Sequence, residues 1–120
     1  MSIKVLVVDD EPRNGRLLET LLQAEGYQTF VARNGVDALA IAKREQPAIA
    51  LLDLMMPDMD GFELIRRLRA EPDTAAITLV VASALDDEAA RQRVQAAGVA
   101  ALLTKPLDRF ALLRCLQRLV

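Results

Sequence analysis

Five polar residues interrupt or follow short apolar stretches of the chain, and their side chains suit phosphoryl-transfer chemistry. They are three carboxylates, one hydroxyl and one ammonium: Asp9, Asp10, Asp53, Ser83 and Lys105. A carboxylate can attack phosphorus, and cations beside it can neutralise charge on the phosphoryl oxygens. If the five lie together, the sequence predicts an acyl phosphate on Asp53, with Lys105 supplying positive charge and Ser83 a hydroxyl donor.

The apolar stretches predict strands that would position these residues. Several are rich in consecutive Val, Ile and Leu, and such continuous hydrophobicity indicates strands buried on both faces of a parallel sheet. The expected strands are Ile3–Val8, Thr29–Ala32, Ala48–Leu52, Ile77–Ala82 and Val99–Leu103. Thr29 and Arg33 make the second strand the most polar, so we expect it at an edge of the sheet.

Amphipathic stretches between the strands predict helices. They are marked by Leu17, Leu18, Leu21 and Leu22; by Ala38, Leu39 and Ala42; by Phe62, Ile65 and Leu68; by Asp86–Ala97; and by Phe110, Leu113 and Leu116. The Arg-rich stretches Arg66–Arg69 and Arg91–Arg93 are expected to be solvated helix faces. Alternating strands and helices predict one α/β domain over residues 1–120, with a doubly wound, five-stranded parallel sheet and five helices.

The predicted fold brings the three carboxylates together. In the flavodoxin-like strand order 2-1-3-4-5, strands one and three are neighbours, and ligands bind beyond the C-terminal ends of such strands. Asp9, Asp10 and Asp53 would then repel one another unless one is protonated or a cation lies among them. An oxygen-only cluster suits a hard cation, so we expect Mg²⁺, for which Mn²⁺ could substitute.

Composition excludes several classes of function. The chain has 120 residues and a net charge of −2, without the clustered basic excess that direct nucleic-acid binding requires. It has no histidine, so it can neither use histidine in catalysis nor carry a phosphohistidine. The only cysteine is Cys115, which rules out a disulfide within the chain and favours a cytoplasmic location. No apolar stretch is long enough to predict a membrane span.

Four separated motifs carry a resemblance to a known family. They are V-L-V-V-D-D-E-P, L-L-D-L-M-M-P-D-M-D-G, V-V-A-S-A and L-L-T-K-P, in that order along nearly the whole chain. This pattern resembles the receiver domains of two-component response regulators. The resemblance implies a signalling module rather than an enzyme, with Asp53 as the phosphoacceptor. It also implies a donor phosphohistidine on a sensor histidine kinase or histidine phosphotransfer domain, and an output domain that is fused or separate.

The same resemblance implies a set of metal ligands. Asp10 and Asp53 would ligate Mg²⁺ directly, Asp9 would assist through water, and the backbone carbonyl of Met55 would be a further ligand.

The resemblance also implies how the signal leaves the site. Ser83 would move to the phosphoryl group, Lys105 would pair with that group, and the Lys105–Pro106 bond would be cis. The change would reach the surface around helix 4, strand 5 and helix 5. Many receivers have Tyr or Phe three residues before the lysine, where this chain has Leu102, so we expect a modest rearrangement.

Two other functions fit parts of the pattern. An aspartyl-phosphate-type phosphatase also uses an Asp nucleophile and Mg²⁺, but it normally needs a second Asp two residues later, where this chain has Met55. A flavin-binding domain would need a Ser-, Thr- or Gly-rich loop after strand one and aromatic stacking residues. That loop is Asp-Asp-Glu-Pro, and the only tyrosine is Tyr27. The phosphatase is retained as the alternative.

Overall fold

Five strands and five helices alternate along the part of the chain that the structure describes. The computed structural model describes residues 2–54, 56, 59–83, 88–105 and 107–119. Its elements are β1 (Lys4–Val8), α1 (Pro12–Ala24), β2 (Gln28–Ala32), α2 (Gly35–Glu45), β3 (Ile49–Asp53), α3 (Gly61–Ala70), β4 (Thr78–Ser83), α4 (Glu88–Ala96), β5 (Ala101–Thr104) and α5 (Arg109–Leu119). Each expected strand is present with ends shifted by at most two residues. Among the helices described, none is both long and apolar enough to cross a bilayer.

The sheet has the expected order and direction. The strands are all parallel and lie in the order β2-β1-β3-β4-β5, so β2 is an edge strand as predicted. Residues at the ends of neighbouring strands pair in register, for example Val8 with Leu52 and Leu52 with Val81. The carboxyl ends of the strands therefore meet along one edge of the sheet.

Helices cover both faces of the sheet and make three layers. Along β1, Leu6 and Val8 point into a core shared with α2, α3 and α4. Val5 and Val7, at the alternate positions, point into a second core shared with α1 and α5. This period of two along strands buried on both faces accounts for their continuous hydrophobicity.

The apolar face of α5 differs from the expected one. Leu112, Cys115 and Leu116 are its buried residues. Of the expected set, Leu116 is buried, whereas Phe110 is 67% exposed and Leu113 is half-buried. Both sets satisfy spacings of three or four residues, so periodicity alone did not determine which side of α5 faces the sheet.

The Arg-rich stretches are only partly solvated. Arg66 and Arg67 lie on the exposed surface of α3 and pair with Glu63, as an exposed helix face would predict. Arg69 instead donates hydrogen bonds to backbone carbonyls, and Arg93 stacks on an aromatic ring. The prediction is wrong for Arg69, which is half-buried, whereas Arg93 is exposed as predicted although its guanidinium contacts a ring on another element.

Candidate functional site

Three carboxylates meet at the C-terminal edge of the sheet. Asp9 follows β1, and Asp53 ends the neighbouring strand β3. Asp9 is 3% exposed and Asp53 is 7% exposed, whereas Asp10 is exposed to solvent. One oxygen from each of the three lies within 4.8 Å of the others. The structure thus brings together the acidic cluster that the sequence predicted.

Lys105 compensates part of this negative charge. Its Nζ lies 2.9 Å from Oδ2 of Asp53 and 3.3 Å from Oδ2 of Asp9. Burial disfavours the charged ammonium, but the hydrogen bond to Asp53 and the charges of Asp53 and Asp9 outweigh it and raise the pKa of Lys105 above its ordinary value. Lys105 is therefore a fixed cation beside Asp53 at neutral pH.

Ser83 lies at the end of β4, beside both Asp53 and Lys105 in the sheet. Asp53 pairs in register with Ala82, and Ser83 pairs with Thr104. The backbone carbonyl of Ser83 accepts a hydrogen bond of 2.9 Å from the backbone N–H of Lys105, and the Ser83 residue is fully buried. The sheet thus fixes Ser83 in the neighbourhood of the carboxylates.

Local hydrogen bonds set the course of the chain after β1. Oδ1 of Asp9 accepts a hydrogen bond of 2.9 Å from the backbone N–H of Glu11, the turn geometry that Asp favours. The backbone N–H of Asp9 donates to the carbonyl of Ala32, which extends the pairing of β1 with β2 by one residue. Pro12 then begins α1, where its missing N–H costs no helical hydrogen bond.

Gly61 shapes the loop that follows Asp53. Its backbone N–H donates to the carbonyl of Leu54 at 2.9 Å. A Cβ at Gly61 would lie 2.6 Å from the Cα of Leu54, so only glycine allows this approach of the two backbones. Asp60 caps α3 by accepting a hydrogen bond from the N–H of Glu63. Gly61 ends the second sequence motif, but its position there does not reveal this close approach of two backbones.

Several predictions fall on residues outside the described ranges. These are the carbonyl ligand at Met55, the cis bond before Pro106 and the start of the fourth helix at Asp86. The described part of that helix, Glu88–Ala96, agrees with the expectation. The other predicted residues, Asp9, Asp10, Asp53, Ser83 and Lys105, all lie at the C-terminal edge of the sheet or directly beyond it.

The cluster fits a divalent hard cation. Its donors are carboxylate oxygens, which Mg²⁺ and Ca²⁺ prefer. Three carboxylates and one ammonium carry formal charges of −3 and +1, which sum to −2 among these four residues. A cation of charge +2 would balance this sum, and a carboxylate on each of two neighbouring strands could hold it.

The chain also matches known proteins. Its residues 5–117 match the family model of the response regulator receiver domain. The chain belongs to this family. The resemblance noted in the sequence is therefore confirmed, and the function is that of a receiver domain in two-component phosphorelay signalling.

A curated relative supports this membership. The response regulator PleD of Caulobacter vibrioides is 46% identical over 121 residues, covering 98% of this chain and 27% of PleD. This chain therefore spans about a quarter of the length of that relative. The comparisons give no support to the phosphatase alternative.

Solved receiver structures have the same fold. The chemotaxis protein CheY4 of Vibrio cholerae aligns over 100% of both chains with a TM-score of 0.94 and 29% sequence identity. The receiver domain of the sensor histidine kinase PA1611 of Pseudomonas aeruginosa aligns with a TM-score of 0.89 and 29% identity, covering 98% of this chain and 97% of that one. That structure has a magnesium ion coordinated in its active site cleft.

Proposed function

We propose that Asp53 is the phosphoacceptor of this receiver domain. The observation that carries the proposal is the ion pair of 2.9 Å between Asp53 and Lys105, at the end of β3 and within the acidic cluster. Asp9 contacts the same ammonium from the turn after β1, where its Oδ1 accepts a hydrogen bond from the backbone N–H of Glu11. Asp10 is exposed and suits a metal ligand that keeps contact with water.

The residues support transfer of a phosphoryl group to a carboxylate. An oxygen of Asp53 attacks phosphorus, the bond from phosphorus to the donor nitrogen breaks, and the product is an acyl phosphate. Lys105 is positioned to exchange its ion pair with the carboxylate for one with the transferred group. Asp10 and Asp53, with Asp9 through water, would hold Mg²⁺, which when bound would neutralise negative charge on the transferring oxygens. A further ligand from the carbonyl of Met55 remains part of this proposal.

The phosphoryl donor belongs to a partner. The chain has no histidine, so the phosphohistidine is on a sensor histidine kinase or a histidine phosphotransfer domain. A cavity of about 370 Å³ between α1 and α5 is lined by Asp9 and Lys105, and it offers an approach to the site. Leu17 lines the same cavity and is 64% exposed, which provides apolar surface for such a partner.

Phosphorylation has to change a surface that an output domain can recognise. We propose that residues 1–120 form one receiver domain whose phosphorylation draws Ser83 toward the group on Asp53, pairs Lys105 with that group, and alters the surface of α4, β5 and α5. An output domain, fused or separate, would respond to that surface, without direct nucleic-acid binding by this domain. The buried free thiol of Cys115 is compatible with the cytoplasmic location that we propose.

Mass spectrometry tests the acceptor. The protein is incubated with acetyl phosphate and Mg²⁺, and the intact mass is measured with time. We expect the parent to gain one phosphoryl group and Asp53→Asn to gain none. Asp73→Asn, at an exposed position on the α3–β4 connection, is the matched control and should behave as the parent does. Phosphorylation of Asp53→Asn would show that the acceptor is another residue.

A further inference from the structure

The apolar side chains of α4 attach it weakly to the rest of the domain. Of the residues Glu88–Ala96, only Ala90 and Val94 are buried. A helix that buries so little apolar surface has low local stability. Polar contacts made by arginine side chains therefore have a large share in holding α4 against the domain.

The first of these contacts joins α4 to α3. The guanidinium carbon of Arg93 lies 3.8 Å from the centroid of the Phe62 ring. A guanidinium within about 6 Å of an aromatic centroid is attracted to the ring face. Phe62 is half-buried and packs against the core shared by α2, α3 and α4, whereas Arg93 is exposed. The ring is therefore fixed, and the arginine can leave it.

Phe62 also connects this contact to the phosphoacceptor segment. The preceding residue, Gly61, donates its N–H to the carbonyl of Leu54, which directly follows Asp53. A change in the loop after Asp53 therefore acts on the start of α3, where Phe62 lies, and through the ring on Arg93.

A second arginine holds the C-terminal end of α4. Arg69 donates from Nη1 to the carbonyls of Ala75 and Ile77 at 2.5 and 2.7 Å, and from Nη2 to the carbonyl of Gly98 at 3.3 Å. Gly98 follows α4 with a φ of +76°. Hydrogen bonds from a charged donor are stronger than neutral ones. Arg69 therefore holds the end of α4, while the Arg93–Phe62 contact holds its side.

We propose that the Arg93–Phe62 contact is a restraint that keeps α4 in its unphosphorylated position and thereby slows phosphorylation of Asp53. The inference rests on the proposed function of Asp53 as the acceptor. A contact present in only one of two arrangements shifts the equilibrium between them by its own free energy. When the contact breaks, α4 moves about the end held by Arg69, and the arrangement that accepts the phosphoryl group is more populated. Arg93 is thus a positioning residue.

Two substitutions remove the contact from either side. Arg93→Gln removes the cation, and Phe62→Leu removes the ring while keeping an apolar side chain. For each variant, amide hydrogen exchange of α4 is measured in the unphosphorylated protein, and the rate of phosphorylation is measured with acetyl phosphate and Mg²⁺. We expect both rates to rise by about two- to fivefold, the range that one exposed cation–π contact can supply. The exchange and phosphorylation rates of the double variant should exceed those of neither single variant by more than the measurement error.

Two matched variants separate the contact from general effects of charge and packing. Arg66→Gln removes the same charge from α3 at a side chain that is 74% exposed and pairs with Glu63. Phe62→Tyr keeps an aromatic face for Arg93. Both should retain the exchange and phosphorylation rates of the parent.

Each result has a definite reading. Faster exchange and faster phosphorylation in Arg93→Gln and Phe62→Leu, without additivity in the double variant, support the restraint. Faster exchange with unchanged phosphorylation overturns it, because the contact would then be structural only. Unchanged exchange also overturns it. If the parent takes no phosphoryl group, the proposed function of Asp53 fails, and the restraint fails with it. If the parent is phosphorylated and the variants have the same exchange and phosphorylation rates as the parent, only the restraint is overturned.

Discussion

At the scale of single residues, charge balance governs the site. Two carboxylates with little exposure, Asp9 and Asp53, share the ammonium of Lys105, and Asp10 adds a third negative charge from the solvent side. Like charges this close destabilise the folded chain unless cations compensate them. The more negative charge Lys105 compensates, the less a bound metal ion can add to the stability of the folded chain.

The first prediction concerns Asp10 and Mg²⁺. Because Mg²⁺ would relieve repulsion that exists only in the folded state, it should raise the melting temperature of the parent. At about ten times the dissociation constant the gain would be about 1.4 kcal/mol, or several degrees. Asp10→Asn should lose most of this gain, and Asp73→Asn should retain it. Equal responses of Asp10→Asn and the parent in thermal unfolding would contradict the role of Asp10 as a ligand.

The second prediction concerns Lys105. Lys105→Met leaves Asp9 and Asp53 without their shared cation, so without Mg²⁺ its free energy of unfolding should fall by about 1–3 kcal/mol. Its stabilisation by Mg²⁺ should exceed that of the parent, because the ammonium no longer opposes a second cation. Denaturant unfolding at several Mg²⁺ concentrations measures both effects.

Lys4 provides the control for that measurement. Lys4 begins β1 at the opposite end of the strand from Asp9 and pairs with Glu45. Lys4→Met should therefore leave the Mg²⁺ response of the parent unchanged. A Mg²⁺ response of Lys105→Met no larger than that of Lys4→Met would argue against competition between Lys105 and the metal ion.

Most of the site could be predicted from residue types and spacing, because each polar residue follows or ends a strand at the same edge. The contact between Lys105 and Asp9 could not, because β1 and β5 are not neighbours in the sheet and only the tertiary structure shows that the lysine side chain reaches so far. The contacts of Arg69 and Arg93 were missed for a related reason. An arginine on a helix is solvated in most settings, and only the tertiary structure shows a ring or a carbonyl beside it.

At the scale of elements, the alternation of strands and helices was predictable, and the orientation of some helices was not. Leu17 belongs to the expected apolar set of α1 but is 64% exposed, while Leu22 in the same set is fully buried. Four leucines in six residues span more than one side of a helix, so spacing alone does not identify the buried side. Gly26 lies two residues beyond the end of α1 with a φ of +90°, the left-handed conformation in which glycine commonly ends a helix.

The third prediction concerns Thr29 in the edge strand β2. Its Oγ1 is buried and has no hydrogen-bond partner among the described residues. Valine has the same shape and suits a strand equally well, and it removes the cost of burying an unpaired hydroxyl. Thr29→Val should therefore raise the free energy of unfolding by about 1 kcal/mol. Urea unfolding measures this gain, provided that the slope of the unfolding free energy against urea concentration is the same in both proteins.

Thr74 is the control for Thr29, because its buried hydroxyl does have a hydrogen-bond partner. Its Oγ1 is also buried, but it donates a hydrogen bond of 2.6 Å to the carbonyl of Leu68. Thr74→Val should lower the free energy of unfolding by about 1–2 kcal/mol, since that carbonyl loses its donor. If both substitutions change stability in the same direction, the difference assigned to the two hydroxyl groups is wrong.

The fourth prediction concerns the loop between β3 and α3. A Cβ at Gly61 meets the backbone of Leu54, which cannot rotate away as a side chain could. Gly61→Ala should therefore lower the free energy of unfolding by about 1–3 kcal/mol and displace the segment after Asp53. We expect slower phosphorylation by acetyl phosphate as well, because the acceptor must be precisely placed.

A second glycine serves as its control. At Gly15 in α1 a Cβ would lie 3.0 Å from Cγ1 of Val31, a side-chain atom that can adjust, and alanine favours a helix over glycine. Gly15→Ala should change stability by less than Gly61→Ala and leave the phosphorylation rate as it is. Normal phosphorylation of Gly61→Ala would show that this close backbone approach does not position Asp53.

At the scale of the whole molecule, the strand order creates the site. Because β1 and β3 are neighbours and β4 and β5 follow on the same side, Asp53 has carboxylates on one side and Ser83 and Lys105 on the other. Continuous apolar strands made this arrangement predictable, since they require a parallel sheet covered on both faces. Strand ends were displaced by one or two residues because hydrophobicity marks burial, whereas a strand is defined by its hydrogen bonds.

The proposed phosphorylation of Asp53 has a direct chemical test. Borohydride reduces an acyl phosphate but leaves a free carboxylate unchanged, so it converts a phosphorylated aspartate into homoserine. The protein is phosphorylated with acetyl phosphate and Mg²⁺, reduced, digested and analysed by tandem mass spectrometry. We expect homoserine in place of Asp53 and unmodified side chains at all the other aspartates. Homoserine in place of Asp9 or Asp10, with Asp53 unchanged, would contradict the account.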